Sequence, residues 1–386
     1  MDNLTHSLVG LAAAKAGLEK FSPATTLTCI VAANAPDVDI VYLFTGDRWS
    51  FLAHHRGLSH SVIGTFSLAL LIPLLFYLID LVIAAITRRE PVIKLRGLLL
   101  ASLLVGATHP LLDWTNNYGV RLLLPWSSRW FYGDLVFIVD PFMWLVIGGA
   151  AFLSSSHTRK RLALWLILAA VLTYLVMSQA SGRFGSTHLF WVRVFWVGAL
   201  VCIVVLFSSA PLVRWKRKIA LTGFAVVLLY WAGLAGLHSI ALKESRNEAA
   251  TITAERGETV REVAAMPTLA NPFQWRTVFE TEAAIYRFDL FLLGLKQGSF
   301  QPVRYERLDA SSAWIKEARH DRRTQIFLGF ARFPVAQVVD PNCTAQTLVQ
   351  FADLRYTEPG SQRGTFSLEV PVECATQTVE ALIHER

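Results

Sequence analysis

Six long apolar runs constrain this chain more than any other feature of it. They extend from Ser61 to Ile86, Leu95 to Leu112, Leu135 to Leu153, Leu162 to Ala180, Leu189 to Phe207 and Ile219 to Ala241. Runs of about 17–25 apolar residues cross a bilayer as helices, because a helix satisfies its own backbone groups in hydrocarbon. Two shorter stretches, Leu4 to Leu18 and Thr25 to Phe44, precede them and read as a helical hairpin packed against the bundle. The opening MDNLTH lacks the basic segment of a cleavable signal peptide, so the first helix is expected to stay. Only 17% of the residues are charged, against about 25% in soluble domains. A purely cytosolic enzyme, a disordered chain and a fibre are therefore excluded.

The charges divide the chain. The net charge is +9 up to Leu242 and −2 beyond it. A basic excess confined to the apolar part reads as membrane topology rather than as a nucleic-acid footprint. The connections Arg88–Arg96, Arg159–Arg161 and Arg214–Lys218, with Lys15 and Lys20 in the hairpin turn, hold 13 Lys and Arg. The alternating connections hold five: Arg48, Arg56, Arg121, Arg129 and Arg183. The positive-inside rule then assigns the first group to the cytoplasm and both termini to the outside.

The fold class expected is mainly α: a polytopic helical membrane bundle over residues 1–242, followed by an extramembrane α+β domain over 243–386. Lys243 to Met266 is charged and proline-free, and it either extends the last helix or forms an amphipathic one. Beyond Pro267 the runs TVFETEAAIYRFDLFL, PVRYERL, TQIFLGFARFPVAQVV, LVQFADLRY and TFSLEVPVE read as half-buried antiparallel strands. Cys343 and Cys374 are the cysteines of this region, and an oxidising compartment would allow a disulfide between them. Cys29 and Cys202 read as buried thiols.

Four motifs in the membrane half concentrate ionisable groups where they are costly. They are THSLVG with His6, NAPDVD with Asp37 and Asp39, HHRGLSH with His54, His55 and His60, and THPLLD with His109 and Asp113. His109 and Asp113, four apart on a helix, share a face. His60 opens one span, His109 and Asp113 close the next, the Asp pair follows the proline break of the hairpin, and His6 starts its first helix. All the motifs thus arrive at the outer face, although only Lys and Arg set the orientation.

Imidazoles with carboxylates and no thiolate suit Zn²⁺, with Mn²⁺ and Fe²⁺ as alternatives, in a site for one to three ions. The metal candidates are His6, Asp39, His55, His60, His109 and Asp113. A bound ion lowers the pKa of its water toward about 7. Asp37 or Asp39 would orient that water or take its proton, and Arg56 would meet an anionic phosphate oxygen.

Each motif has a plainer reading beside it. A lone HxxxD is weak, and Asp37, Asp39, Asp134 and Asp140 can all serve as helix caps or turn residues. His54 reads as exposed or outside the ligand set, and His157, His320 and His384 as solvated. Asp80 and Arg193 lie inside spans, where interhelical pairing is the simpler role. The case for a site rests on the ensemble.

At these residues, DNLTHSLVG, PDVD, HRGLSHS and HPLLDWTNNYGVRLLLP, the sequence resembles the YdjM-like family of inner-membrane-associated, metal-dependent hydrolases. The resemblance covers Met1 to about Asp140, and NPFQW and FLGFARFP are similar to longer members. It implies a metal-dependent hydrolase site, with His6, Asp37, Asp39, His55, His60, His109 and Asp113 at the motif positions. A fainter resemblance, to zinc-dependent phospholipase C and related single-strand nucleases, rests on the early histidine, the aspartate and HxxxD. The spacing, the membrane scaffold and the absence of an N-terminal Trp depart from that pattern. This second resemblance favours phosphoester chemistry.

The reading is therefore an inner-membrane hydrolase acting on a phosphoester of a lipid or lipid-linked substrate at the outer face. Its partners would be the bilayer and that substrate, with no nucleic acid. Two other classes compete with it. An ion-coupled transporter or channel predicts acids spread through the membrane depth, and a non-catalytic anchor for a partner-binding β domain predicts dispensable motif residues.

Overall fold

Short polar caps start the helices where the apolar runs begin. Asp2 accepts from Thr5 N at the start of α1 (Asn3–Lys15), and Ser61 accepts from Gly64 N at the start of α5 (Val62–Thr87). Between them lie α2 (Thr25–Asn34), a 3₁₀ stretch (Ala35–Ile40), α3 (Val41–Thr45) and α4 (Arg48–His54). After α5 come α6 (Leu95–Gly106), α7 (Thr108–Trp114), α8 (Pro141–Ser155), α9 (Arg159–Met177), α10 (Ser186–Ser209) and α11 (Lys216–Ala254). This computed structural model describes residues 1–156, 158–178, 186–209, 212–293, 301–308, 312–343, 345–360 and 366–374. The expected span end Ala180, the loop residue Arg183, His157 and His384 lie outside the described residues.

Among the described residues six segments are long and apolar enough to cross a membrane. They are Thr25–Thr45, Val62–Thr87, Leu95–Trp114, Arg159–Met177, Phe190–Ser208 and Lys216–Ala254. The set differs from the expected six at two places. Leu135 to Leu153 is not one helix: the chain stays irregular through Val139, and α8 begins only at Pro141, capped by Asp140 rather than Asp134. Proline at the first helical position fits that boundary. Its 15 residues make it an apolar helix shorter than the rest. Conversely, Thr25–Thr45 reaches spanning length as a broken helix in which the 3₁₀ stretch joins α2 to α3.

The chain forms two bodies. The first comprises Met1–Asp39, Arg56–Gly236 and Leu269–Asn271. In it α1 packs on α2 and α8, and α6 packs on α2 and α5. Gly10 sets the α1–α2 approach, because a Cβ there would stand 2.7 Å from the Cys29 carbonyl oxygen. Ala14 of α1, Cys29 and Ala33 of α2 and Ala101 of α6 form one buried cluster, the small-residue packing that holds helices together in lipid. A second core gathers Leu8, Leu112, Met143, Ile147 and Trp196. Trp144 Nε1 donates to Asp2 at 3.1 Å, and Gly148 faces Leu8, so α8 runs parallel to α1.

That arrangement sorts the two ends of the first body. Lys15 and Lys216 both pair with Glu19 at one end, where Lys94 N also donates to Ser22 Oγ. The end of α8 and the start of α9 share that end, joined by Trp165 Nε1 donating to Ser155 Oγ. The basic connections collect there, and the histidine and aspartate motifs collect at the other end.

Asp80, near the basic end of α5, pairs with Arg89 at 2.5 Å and accepts from Val92 and Ile93 backbone N–H groups, so it ties down its own connection. Arg193 donates to the Met177 carbonyl. Neither contact joins the acid and the arginine to each other. Cys29 is buried as expected, whereas Cys202 lies on the exposed apolar face of α10.

The second body comprises Ile40–His55, Leu237–Thr268 and Pro272–Arg386. Its strands are β1 (Val260–Thr268), β2 (Asn271–Thr281), β3 (Ala284–Phe291), β4 (Val303–Glu306), β5 (Pro334–Val338), β6 (Gln346–Asp353) and β7 (Ser367–Glu373), with helices α12 (Ala313–Ala318) and α13 (Arg322–Phe330). Two antiparallel sheets result, ordered β1-β2-β3-β4 and β5-β6-β7. Phe279 pairs with Tyr286 across β2 and β3, and both pack with Trp275 against Ala241 and Ala249 of α11.

Two assignments change here. The β region starts at Val260, before Pro267, which is tolerated because β1 is an edge strand. TQIFLGF is helical rather than extended: Asp321 caps α13, and Thr324, Phe327 and Phe330 recur every three residues on its buried face. Cys343 and Cys374 form a disulfide with their Cα atoms 6.1 Å apart.

Candidate metal centre

Four elements of the first body deliver side chains to one buried cluster. His6 comes from the first turns of α1, Asp37 and Asp39 from the 3₁₀ break after α2, His60 from the turn before α5, and His109 and Asp113 from α7. The turn before α5 closes tightly, since a Cβ on Gly64 would lie 1.9 Å from the Leu58 carbonyl oxygen. His6, Asp39, His60, His109 and Asp113 are all buried.

Four atoms face one another at the centre. His60 Nε2 lies 3.2 Å from Asp37 Oδ1 and 3.3 Å from Asp113 Oδ2. His109 Nε2 lies 3.3 Å from the same Asp113 oxygen and 3.7 Å from the same Asp37 oxygen. Tetrahedral ligands about 2.1 Å from a zinc ion stand roughly 3.4 Å apart, so these separations match a cation's coordination shell. His6 adjoins them, its Nε2 3.5 Å from Asp113 Oδ1 and its ring stacked on His109 at 3.8 Å.

Hydrogen bonding sharpens the fit. His109 Nδ1 donates to the Ala33 carbonyl at 2.6 Å, which leaves Nε2 as a bare lone pair directed at carboxylate oxygens. His109 Nε2, His6 Nε2 and Asp113 Oδ2 are buried without a hydrogen bond. Lone pairs set against carboxylates in a buried pocket repel unless a cation or proton lies between them. The donor set therefore fits a divalent metal.

Asp37 and Asp39 have different places. Asp37 faces the centre through Oδ1 and accepts from Asn3 Nδ2 through Oδ2 at 2.8 Å. Asp39 stands behind His60, its Oδ2 3.2 Å from His60 Nδ1, and also accepts from Arg56 N at 3.0 Å. A carboxylate on the far nitrogen of a histidine fixes the ring and raises its basicity. Burial pushes the His60 pKa down, and the facing carboxylates of Asp113, Asp37 and Asp39 push it up by more, to about 10.

Arg56 is a structural hub of the cluster. It adopts φ +52°, rare for a bulky residue. Its guanidinium pairs with Asp113 Oδ1 at 2.9 Å, donates to Asn116 Oδ1 at 2.9 Å and lies over the Tyr118 ring at 4.5 Å. The amino group of Met1 contacts the same Asp113 oxygen. Meeting a phosphate would require Arg56 to exchange these buried bonds.

His55 belongs to the second body, at the end of α4, where its ring stacks on Phe51 at 4.5 Å. His54 stacks on Tyr42 at 3.9 Å and is exposed. Asp140, the cap of α8, accepts from Tyr230 Oη at 2.8 Å.

A family model described as YdjM inner membrane protein matches residues 1–184. Over 155 residues the chain is 26% identical to the uncharacterized protein YfhP of Bacillus subtilis (strain 168), covering 38% of this chain and 43% of that protein. The match thus spans less than half of that relative. No solved structure matches the chain.

The matched stretch contains the whole four-atom cluster as well as His6, Asp39 and Arg56. It also contains residues that the sequence reading did not reach: Asn3, Ser59, Asn116 and Tyr118. Ser59 and Asn116 follow or precede motif residues closely, and the Asn-Asn-Tyr-Gly turn signal after HxxxD marks a loop folded back on the site. The Ala33 carbonyl has no sequence signature at all.

Proposed function

We propose that this membrane protein is a metal-dependent hydrolase, with zinc as its first-choice ion, acting on a phosphoester in a lipid or lipid-linked substrate at the outer face. The observation that carries the reading is the convergence of unpaired His109 Nε2, His6 Nε2 and Asp113 Oδ2 beside His60 and Asp37. In this reading His60, His109, Asp37 and Asp113 hold the ion, and His6 adds a further ligand or serves a second ion. Asp39 orients His60, and Arg56 anchors Asp113. His55 remains a proposed ligand.

When bound, the ion supplies Lewis acidity to the phosphoryl oxygen and acidity to its water. Asp37, the most exposed carboxylate of the cluster at 15%, is the group placed to take a proton from the attacking water. Asn3 holds its other oxygen in place. Clustering at one end of the helices supports an amphiphilic substrate, since that end meets the bilayer at headgroup level. It also disfavours a conducting path, which needs acids through the membrane depth.

The second body is proposed to be extracytoplasmic. The Lys and Arg distribution and the Cys343–Cys374 disulfide support that side independently.

The test measures metal content and hydrolysis of a chromogenic phosphodiester lipid in mixed micelles. The expected result is bound metal in the wild type, with metal and turnover both lost in His109→Ala and reduced in Asp39→Ala. Full occupancy and turnover in both variants would remove the proposed centre.

A further inference from the structure

The end of the first body opposite the histidine cluster carries a pocket of about 450 Å³ between the α1–α2 turn and the start of α11. Its wall is split by chemistry. Lys20 and Arg217 supply cations, while Phe21, Leu221 and Phe224 supply apolar surface. Phe21 and Leu221 are 39% and 47% exposed, so this surface is open.

The neighbouring charges set the sign of the site. Glu19 is the local acid, and both of its oxygens are taken, one by Lys15 at 2.6 Å and the other by Lys216 at 2.5 Å. Lys20 and Arg217 have no acidic partner among the described residues. Gly17 shapes the approach: at φ +136° it holds a backbone conformation other residues avoid, and a Cβ there would come 3.6 Å from Arg217 Nε. The turn thus sits in van der Waals reach of the Arg217 side chain. Trp215, 44% exposed with Lys218 over its ring at 4.5 Å, marks this level as interfacial.

We infer that this pocket binds one anionic phospholipid, its phosphate between Lys20 and Arg217 and an acyl chain along Phe21, Leu221 and Phe224. Charge complementarity selects the headgroup, and the adjoining apolar wall selects a lipid over a free anion. Basic pockets between membrane helices hold anionic headgroups by this combination. Diffuse surface charge lacks the apolar wall and would show no preference for this pair of cations over others at the same end.

The experiment uses the full chain in detergent, titrated with phosphatidylglycerol, phosphatidylcholine or inorganic phosphate. Thermal unfolding and native mass spectrometry are the readouts. Phosphatidylglycerol is expected to raise the unfolding temperature and remain bound, and the other two are not. The exposed double variant Lys20→Gln with Arg217→Gln is expected to bind phosphatidylglycerol roughly 30-fold more weakly, about fivefold per cation. Arg159→Gln with Lys160→Gln, at the same end but outside the pocket, is expected to match the wild type. Equal stabilisation by phosphatidylcholine, an equal effect of inorganic phosphate, or an equal loss in the Arg159 and Lys160 variant would overturn the inference.

Discussion

The two aspartates of PDVD show how far a motif reaches and where it stops. Their spacing marked both as candidates, yet it carries no information about which one faces the centre of the cluster. The answer lies in the 3₁₀ stretch Ala35–Ile40: at three residues per turn, positions two apart point about 120° from each other. Asp37 therefore meets the imidazole nitrogens while Asp39 reaches behind His60. The two should fail differently. Asp39→Ala is expected to weaken zinc about 10–100-fold, the usual cost of losing a carboxylate that orients a histidine. Asp37→Ala removes a donor atom and should cost more. Competition against a graded series of chelators measures both, and equal losses would show that the two acids share one role. Arg56→Gln should act on stability instead, because it strips Asp113 of a buried partner, a change worth about 3–5 kcal/mol. A lowered unfolding temperature in metal-free protein reads this out.

Elements place these atoms to within ångströms, and small residues control the elements. Gly10 stands one helical turn after His6, where α1 presses on α2. Gly10→Val would drive the helices apart and carry His6 away from His109, although no ligand changes. The expected outcome is protein that still inserts but holds less metal, measured by elemental analysis of the purified variant. Wild-type metal content would show that the α1–α2 spacing does not govern the centre. Some of this was legible beforehand: periodicity and length located α5, α6, α9 and α11 closely, and the charged run Lys243 to Met266 continues the last helix as far as Ala254, before β1 takes over at Val260. Other parts were not. TQIFLGF has the β-branched and aromatic content of a strand, and its helical state depends on the Asp321 cap and on burial of Phe327 and Phe330. The irregular approach to α8 has the same cause in reverse: apolar residues such as Val136 are buried there without regular structure, held by Thr115 accepting from the Leu135 and Val136 N–H groups.

At the scale of the whole chain, convergence of the motifs could be anticipated because two independent codes agree. Lys and Arg placement sorts the connections into two groups, and the histidine and aspartate motifs fall wholly in one of them. The structure places the basic group and the cluster at opposite ends of the first body, which gives the charge rule a geometric counterpart. Charge patterning is no chemical marker of compartment, and the Cys343–Cys374 disulfide is a bond that oxidising compartments favour. Sidedness then becomes a prediction with a direct readout. Glu369 on β7 and Glu90 in the connection after α5 are both exposed, and cysteine at either should react if a reagent reaches it. Cys29 is buried and Cys202 sits on an apolar helix face, so neither should take a charged, membrane-impermeant maleimide. In intact protoplasts Glu369→Cys is expected to label and Glu90→Cys is not, until the membrane is opened. The reverse pattern would put the cluster at the cytoplasmic leaflet. The proposed metal centre would survive that result, but its proposed substrate would have to be sought among lipids exposed to the cytoplasm, and a stable disulfide between Cys343 and Cys374 would then require protection from cellular thiols.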